Sequence, residues 1–187
     1  QNPPERNKNF TLRMSNIGKP SRQLWYEKKL PKGKEKITPS TFIKFMYGHL
    51  LEEVLLFLVS IAGHKIEAAQ KEVLVNGIKG HMDCKIDGEV IDIKTASGRA
   101  FQKFSNDTLA QDDPFGYIAQ LCGYEEAEGT DNGGFLVINK ETGELTLHRP
   151  EELDKINVVD KIDHLKHEMS LDTPPEKCYS TVPEGKS

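Results

Sequence analysis

The stretch that decides the fold runs from Gly80 to Ser97 and reads GHMDCKIDGEVIDIKTAS. Apolar and polar residues alternate on both sides of Asp87-Gly88, a dipeptide typical of a two-residue hairpin turn. A turn of this length fixes the strand register, because positions equally distant from it must face each other. The stretch is therefore predicted to be a hairpin that places Asp83 directly opposite Asp92.

One face of this hairpin concentrates charge. Because side chains alternate along a strand, four polar residues are predicted to share that face, while Ile91 and Ile93 point to the other: His81, Asp83, Asp92 and Lys94. Opposed carboxylates repel each other, and a divalent cation held between them would offset the repulsion. Oxygen-only ligands favour magnesium or manganese over zinc.

Lys94 would place an ammonium beside such an ion, where it can orient or deprotonate a water or neutralise charge on a phosphate. The hairpin therefore predicts a site for phosphodiester hydrolysis. The alternative is a simple surface ion pair, since an Asp two residues before a Lys is common on exposed strands.

Composition and charge limit the class of protein. The 187 residues suffice for one domain with its own core, and 36% are hydrophobic and 29% charged. The net charge of −4 means that a nucleic acid would have to be attracted by a local patch. The three cysteines include no CxxC pair, which argues against a disulfide framework or a zinc ribbon and favours the cytoplasm. No stretch approaches 18 consecutive apolar residues, so no membrane partner is expected.

The chain is expected to comprise a polar flank over 1–36 packed on or near the core, a core over 37–171 and a loose tail over 172–187. Between positions 19 and 36 the flank has seven basic residues against two glutamates. This basic run is either a solvated surface or an edge that contacts phosphates.

The remaining pattern predicts an alternation of helices and strands. A long apolar helix over Thr41–Ala62, preceded by capping residues from Thr38, is expected to be buried in the middle of the domain, because its second half is apolar on every side. The other predicted elements are helices at Ser21–Leu30, Arg99–Phe104, Pro114–Glu128 and Pro150–Met169, and strands at Ile66–Val75, Ile78–Ile86, Glu89–Thr95, Gly133–Asn139 and Glu144–His148.

Over roughly residues 11 to 150, this order of motifs resembles the PD-(D/E)XK nuclease superfamily. The similar group is the RecB-like one, which includes phage exonucleases of the lambda type and CRISPR-associated spacer-processing nucleases. The matching residues are Asp83, Asp92 and Lys94, with Met82 where the proline of the family name would stand. The resemblance implies an α/β, restriction-endonuclease-like core with a central mixed β-sheet flanked by helices in the order αβββαβ.

Two further motifs fit the resemblance. Gln120 and Tyr124 match the Gln-x-x-x-Tyr of the group's later helix, with Tyr117 one turn earlier, and an amide and a phenol on one helix face can hold a phosphate backbone or stack on a base. Without the hairpin these residues would be taken for the core-facing side of an amphipathic helix. Upstream, Gly48 is followed four residues later by Glu52, which the resemblance implies as a further metal ligand. Glu53 is its rival, and His49 is a weaker candidate that is more often a packing residue.

The resemblance implies a site in which Asp83, Asp92, Glu52 and the Ile93 carbonyl bind one or two Mg²⁺ or Mn²⁺ ions while Lys94 helps to activate water. Gln120, Tyr124 and Tyr117 would position the nucleic acid, and weaker phosphate contacts are expected from Thr95, Ser97, Arg99 and Lys103. No iron–sulfur cluster is expected, because Ile17–Tyr26 has the framework of the first cluster motif without a cysteine.

We therefore expect a Mg²⁺- or Mn²⁺-dependent deoxyribonuclease, an exonuclease or end- or flap-processing enzyme in recombination, repair or replication of a phage or mobile element. Its partners would be DNA, single- or double-stranded, and replication or recombination proteins in the cytoplasm of a bacterial host. The main alternative is a non-cleaving nucleic-acid-binding module or recombination accessory with the same fold. The third interpretation is an acidic structural domain in which the charged hairpin has arisen by chance and has no function.

Overall fold

The computed structural model describes residues 10–30 and 38–177. The helices are α1 Ser21–Lys29, α2 Pro39–Ile61, α3 Gly98–Ser105, α4 Tyr117–Glu128 and α5 Val158–Glu168. The strands are β1 Ile66–Glu67, β2 Lys71–Val75, β3 Ile78–Met82, β4 Cys84–Ile86, β5 Glu89–Ala96, β6 Gly134–Asn139 and β7 Leu145–His148.

Five strands form a central mixed sheet in the order β1-β4-β5-β6-β7. Strands β5 and β6 are parallel, and the other neighbours are antiparallel. The parallel pair requires a long crossover, which α3 and α4 supply. The predicted α/β class with a mixed sheet flanked by helices is confirmed.

The hairpin of β4 and β5 has the predicted register over its paired residues. Cys84 lies opposite Ile91, and the pairing continues to the turn. Asp87 and Gly88 have φ of 51° and 89°, the left-handed conformation that a type I′ turn requires at both positions.

The prediction of three continuous antiparallel strands in one sheet is wrong. Ala68 and Gln70 both have φ of 52°, which breaks the first strand into β1 and β2, and the second strand breaks at Asp83. The Gln70 N–H donates to the Asp83 carbonyl at 2.8 Å, so the two interruptions face each other. Beyond them β2 and β3 diverge as a separate two-stranded sheet.

This break removes His81 from the predicted four-residue face. His81 lies on β3, is exposed, and pairs with Glu72 at 3.7 Å. It is therefore on a different sheet from Lys94, and its predicted place opposite Lys94 is wrong.

The central sheet separates two apolar cores. Val90 and Ala96 of β5 point into the larger core, which α3, α4, α5 and the two-stranded sheet also line. Ile91 and Ile93 point into the smaller one, which is closed by Leu55 of α2. Because side chains alternate along β5, Ile91 and Ile93 lie on the face of the strand opposite to Asp92, as predicted.

Helix α2 begins at Pro39, with the Thr38 side chain accepting a hydrogen bond from the Thr41 N–H at 3.3 Å. It ends before Gly63, whose φ is 94°. The predicted central burial of this helix is wrong, since Leu55 is its one fully buried residue. The sheet covers one side of α2, and no other described segment covers the opposite side.

Helix α4 begins at Tyr117, three residues after the predicted start. The Asp113 carboxylate caps it by accepting hydrogen bonds from the N–H groups of Tyr117 and Ile118 at 3.0 and 2.9 Å. The intervening residues form a turn that ends at Gly116, with φ of 71°. Gly116 packs against Gly18, where a Cβ would lie 2.3 Å from the backbone, so this close approach requires glycine on both sides.

The last predicted helix is shorter than expected. A 3₁₀ turn occupies Glu152–Asp154, and α5 starts after Asn157, whose side chain accepts a hydrogen bond from the Asp160 N–H at 3.1 Å. Among the residues that the structure describes, no helix combines the length and the apolar character needed to cross a membrane.

The described part of the basic flank packs near the C-terminal helix. Trp25 Nε1 donates to the Leu171 carbonyl at 2.9 Å, and Lys28 Nζ donates to the Met169 carbonyl at 3.2 Å. The start of the predicted flank, the rest of its basic run and most of the predicted tail lie outside the described residues, at 1–9, 31–37 and 178–187.

Candidate active site

The least exposed carboxylate of the described chain belongs to Asp92, in the middle of β5. Asp92 is 1% exposed, and neither of its carboxylate oxygens meets hydrogen-bond geometry with a described residue. Its Oδ2 instead forms an ion pair with Lys94 Nζ. A buried carboxylate without hydrogen bonds is costly, so a strong electrostatic partner is required at this position.

Asp83 supplies the second carboxylate of the site. The break between β3 and β4 lets its side chain reach β5, where Oδ2 accepts a hydrogen bond from the Ile93 N–H at 2.7 Å. Burial and the neighbouring Asp92 raise the pKa of Asp83 to about 7. The structure thus brings the two predicted aspartates together, but Asp83 does so from outside the paired residues of β4 and β5, through its side chain.

Lys94 holds the positive charge of the site. Burial lowers the pKa of its amine, but the electrostatic attraction of Asp92 outweighs this and raises that pKa above its usual value. Its Nζ also lies over the Tyr117 ring, 4.8 Å from the centroid. Lys94 is therefore held as a cation between a carboxylate and an aromatic face.

Of the two rival glutamates on α2, Glu52 is the one oriented to this cluster. Burial raises its pKa, its helix neighbours His49 and Glu53 lower and raise it respectively, and smaller effects come from Asp92, which raises it, and Lys94, which lowers it. Its Oε1 accepts a hydrogen bond from Gln70 Nε2 at 2.9 Å. Glu53 and His49 are exposed.

Oxygen donors at this position suit a hard divalent cation. Asp83 and Asp92 fit one, because the oxygens of Asp92 are buried without hydrogen bonds and the charge of Asp92 opposes the ionisation of Asp83. Across the described residues, no three His, Cys, Asp or Glu side chains converge well enough to hold an ion. Glu52 could complete the set after releasing Gln70.

Gln120 and Tyr124 interact with each other directly. Gln120 Nε2 donates to the Tyr124 hydroxyl at 2.7 Å, and burial raises the pKa of Tyr124, with Asp92 adding to the shift. Tyr124 is 2% exposed, so the expected direct contact with nucleic acid does not fit its position. The half-buried Gln120 is the more accessible member of the motif.

An aromatic residue that the sequence analysis did not predict, Phe115, lies beside the site. Phe115 is 63% exposed and stacks on Tyr117 with centroids 5.4 Å apart and an interplanar angle of 25°. The turn that carries it is fixed by the Asp113 cap and the packing of Gly116. The available signal was an aromatic residue between Pro and Gly in a tight turn.

The weaker phosphate-contact candidates are spread around α3. Thr95 and Ser97 are half-buried and Arg99 is exposed, while Lys103 Nζ donates to the Asp112 carbonyl at 2.9 Å. The first turn of α3 already has an acidic neighbour, since the Gly98 N–H donates to Glu141 Oε2 at 3.2 Å. A phosphate at that helix end would have to displace this carboxylate.

This chain is similar to solved structures of two exonucleases. A phage-related exonuclease from Haemophilus somnus 129PT is 13% identical, with 87% of this chain and 91% of that chain covered and a TM-score of 0.52. An alkaline exonuclease from Laribacter hongkongensis is 14% identical, with 82% and 91% covered and a TM-score of 0.45, and its complex with dAMP, also 14% identical, has 83% and 92% covered and a TM-score of 0.42.

No protein-family model matches the sequence, and no curated protein matches it significantly. The likeness to the phage-related exonuclease shows a nuclease-like fold at low sequence identity.

Proposed function

We propose that the protein is a metal-dependent DNA nuclease that hydrolyses phosphodiester bonds. The observation that carries this proposal is the pairing of Asp83 with the buried Asp92, next to a lysine that is held charged. A purely structural ion pair would not explain a second carboxylate whose ionisation is opposed by its surroundings. A site that binds a divalent cation and a phosphate would explain it.

Each residue of the cluster has a distinct task in this proposal. Asp83 and Asp92 would be the main ligands, with Glu52 and the Ile93 carbonyl as further ones. When bound there, Mg²⁺ or Mn²⁺ would supply an activated water and charge neutralisation at the phosphate. Lys94 keeps its proton because Asp92 raises its pKa, so its part is to stabilise the charge that develops on the phosphate.

The nucleic acid would be positioned by groups around α4. Phe115 presents an exposed ring on a fixed turn, and the Tyr117 ring contacts both the Phe115 ring and the Lys94 ammonium. A base next to the reacting phosphate can stack on such a ring. Gln120 would contact the strand while Tyr124 holds its amide, and Thr95, Ser97, Arg99 and Lys103 would contribute the outer phosphate contacts.

The finer assignment is an exonuclease or an end- or flap-processing enzyme acting in DNA recombination, repair or replication of a phage or mobile element. The resemblance of the Gln-x-x-x-Tyr motif and the fold shared with a phage-related exonuclease support it. DNA ends or flaps would be the substrate, replication or recombination proteins would be partners, and the bacterial cytoplasm would be the location.

A cleavage assay tests this function. Linear and circular DNA, with the linear form labelled at either end, would be incubated with Mg²⁺ or Mn²⁺ and sampled over time. Lys94→Met keeps most of the side-chain volume and should reduce cleavage by about 100-fold or more. Lys79→Ala, which removes an exposed lysine paired with Glu72, serves as the matched control. Undiminished cleavage by Lys94→Met would refute the proposed role.

The non-cleaving module remains the second candidate, favoured by the incomplete convergence of the acidic groups among the described residues. Calorimetry with Mn²⁺ separates the two functions. Binding that is lost in Asp92→Asn supports the nuclease. DNA binding without any Mn²⁺ binding supports the module.

A further inference from the structure

The outer side of α2 has a regular apolar stripe. Its members recur at alternating spacings of four and three residues, and each is between 44% and 64% exposed: Ile43, Tyr47, Leu50, Val54, Phe57 and Ile61. Met46 and Leu58 flank this stripe and are also exposed. Soluble chains rarely leave so continuous an apolar surface uncovered.

The spacing identifies the shape of what covers the stripe. Apolar residues that repeat every 3.5 positions form the seam along which two α-helices pack side by side. Helix α2 has 23 residues and is therefore about 35 Å long, and its stripe from Ile43 to Ile61 spans almost three heptads. The occupant is thus expected to be another helix of comparable length.

The rest of this sequence does not offer such a helix. The residues outside the described ranges, at 1–9, 31–37 and 178–187, contain only Ile37, Tyr179 and Val182 as large apolar side chains. Within the described ranges the outer side of α2 is exposed along its whole length. Within a single molecule, these 187 residues therefore offer no helix that covers the stripe.

We infer that the stripe is the interface between two copies of this chain, formed by α2 of each copy. The six stripe positions have no charged residue, so the opposite surface must be equally apolar, and a second α2 presents the same seam with the same period. A symmetric contact of this kind uses one patch twice. The interface belongs to the chain whether or not the site is a nuclease.

The exposed area is sufficient for a stable contact. Eight large side chains about half exposed, at roughly 200 Å² each, give on the order of 800 Å² per copy, which is the area that a standard interface buries on each partner. The candidate site is left accessible, because Gly48 faces Thr95 on the opposite side of α2, where an added Cβ would lie 3.9 Å from Thr95 Oγ1.

Sedimentation equilibrium of the purified chain from about 0.1 to 100 μM tests the inference. The wild-type chain should be a dimer in the upper part of this range. The double variant Leu50→Lys/Phe57→Lys should raise the dimer dissociation constant by at least about 100-fold. The matched control is Leu153→Lys, because Leu153 is 93% exposed and lies away from α2. It should leave the dimer unchanged.

Circular dichroism and thermal unfolding establish that the double variant folds. Should it unfold, Tyr47→Gln/Ile61→Gln is the second variant, since both positions are exposed at other points of the stripe. A wild-type chain that is monomeric at 100 μM overturns the inference. So does a folded stripe variant that keeps the wild-type dissociation constant, or a dimer that the Leu153 control disrupts equally.

Discussion

Replacing Asp83 by Asn should stabilise the fold at alkaline pH. Asp83 ionises with a pKa of about 7 in the folded chain, against its ordinary 3.8, because burial and Asp92 oppose its charge. Above both values this difference corresponds to on the order of 4 kcal/mol of lost stability, and relaxation of the site reduces it, so we expect the variant to gain about 2 to 4 kcal/mol. Asn can still accept the hydrogen bond from the Ile93 N–H.

The gain must depend on pH in a definite direction. Below about pH 4 Asp83 is protonated in both the folded and the unfolded chain, and the variant should have little advantage. Between pH 4 and 7 the folded chain holds a proton that the unfolded chain releases, so wild-type stability falls relative to the variant as pH rises. Above pH 7 the difference should be complete.

Urea unfolding in EDTA at pH 4.5, 6 and 8.5 measures this difference. Asp87→Asn is the matched control with the opposite sign, because the Lys65 N–H and His64 lower the pKa of Asp87 and its charge supports the folded state. A variant that is no more stable than wild type at pH 8.5, or whose gain is undiminished at pH 4.5, would refute the reasoning. Added Mn²⁺ should narrow the gap by stabilising only the wild type.

Three further predictions concern packing and substrate contacts. Gly80→Ala should lower the free energy of unfolding by about 1 to 3 kcal/mol, because a Cβ there would lie 2.6 Å from Met14 Cβ and 2.9 Å from a Tyr124 ring carbon. Gly48→Ala has room beside the sheet and should instead raise the free energy of unfolding by up to about 1 kcal/mol through better helix propensity. Equal effects of the two substitutions in thermal unfolding would contradict the close packing at Gly80. Phe115→Ala should weaken binding to single-stranded DNA by about 5- to 150-fold in fluorescence anisotropy without changing the melting temperature, and unchanged affinity would remove the ring from the binding surface. Tyr117→Phe keeps the aromatic ring over Lys94 and should cleave DNA like the wild type, whereas Tyr117→Leu loses that cation–π contact and should cleave about 2- to 30-fold more slowly. Equal cleavage rates for the two variants would show that the contact does not contribute.

The local parts of the fold could be predicted from the sequence because single dipeptides determine them. Asp87-Gly88 fixed the register of β4 and β5, and Asn76-Gly77 likewise forms a turn with φ of 45° and 74°. The breaks at Ala68, Gln70 and Asp83 could not be predicted in this way. Left-handed Ala and Gln residues have no sequence signature, and tertiary contacts impose their conformation.

The candidate site was predictable in its residues more than in its geometry. Asp83 and Asp92 meet because one side chain reaches across from an interrupted strand, whereas the sequence pattern implied a regular ladder. The apolar pattern of α2 gave its length but not its exposure, since periodicity does not distinguish a core from a partner surface. Burial of Tyr124 followed from packing against Gly80, which no local pattern indicates.

In the proposed site, Asp83 and Asp92 together hold a divalent cation. The most direct measurement is the anomalous diffraction of crystals soaked in Mn²⁺, collected for the wild type and for Asp92→Asn. We expect a manganese peak between these two carboxylates in the wild type and none in the variant. A manganese ion bound elsewhere, or no manganese peak in the wild-type crystals, would contradict it.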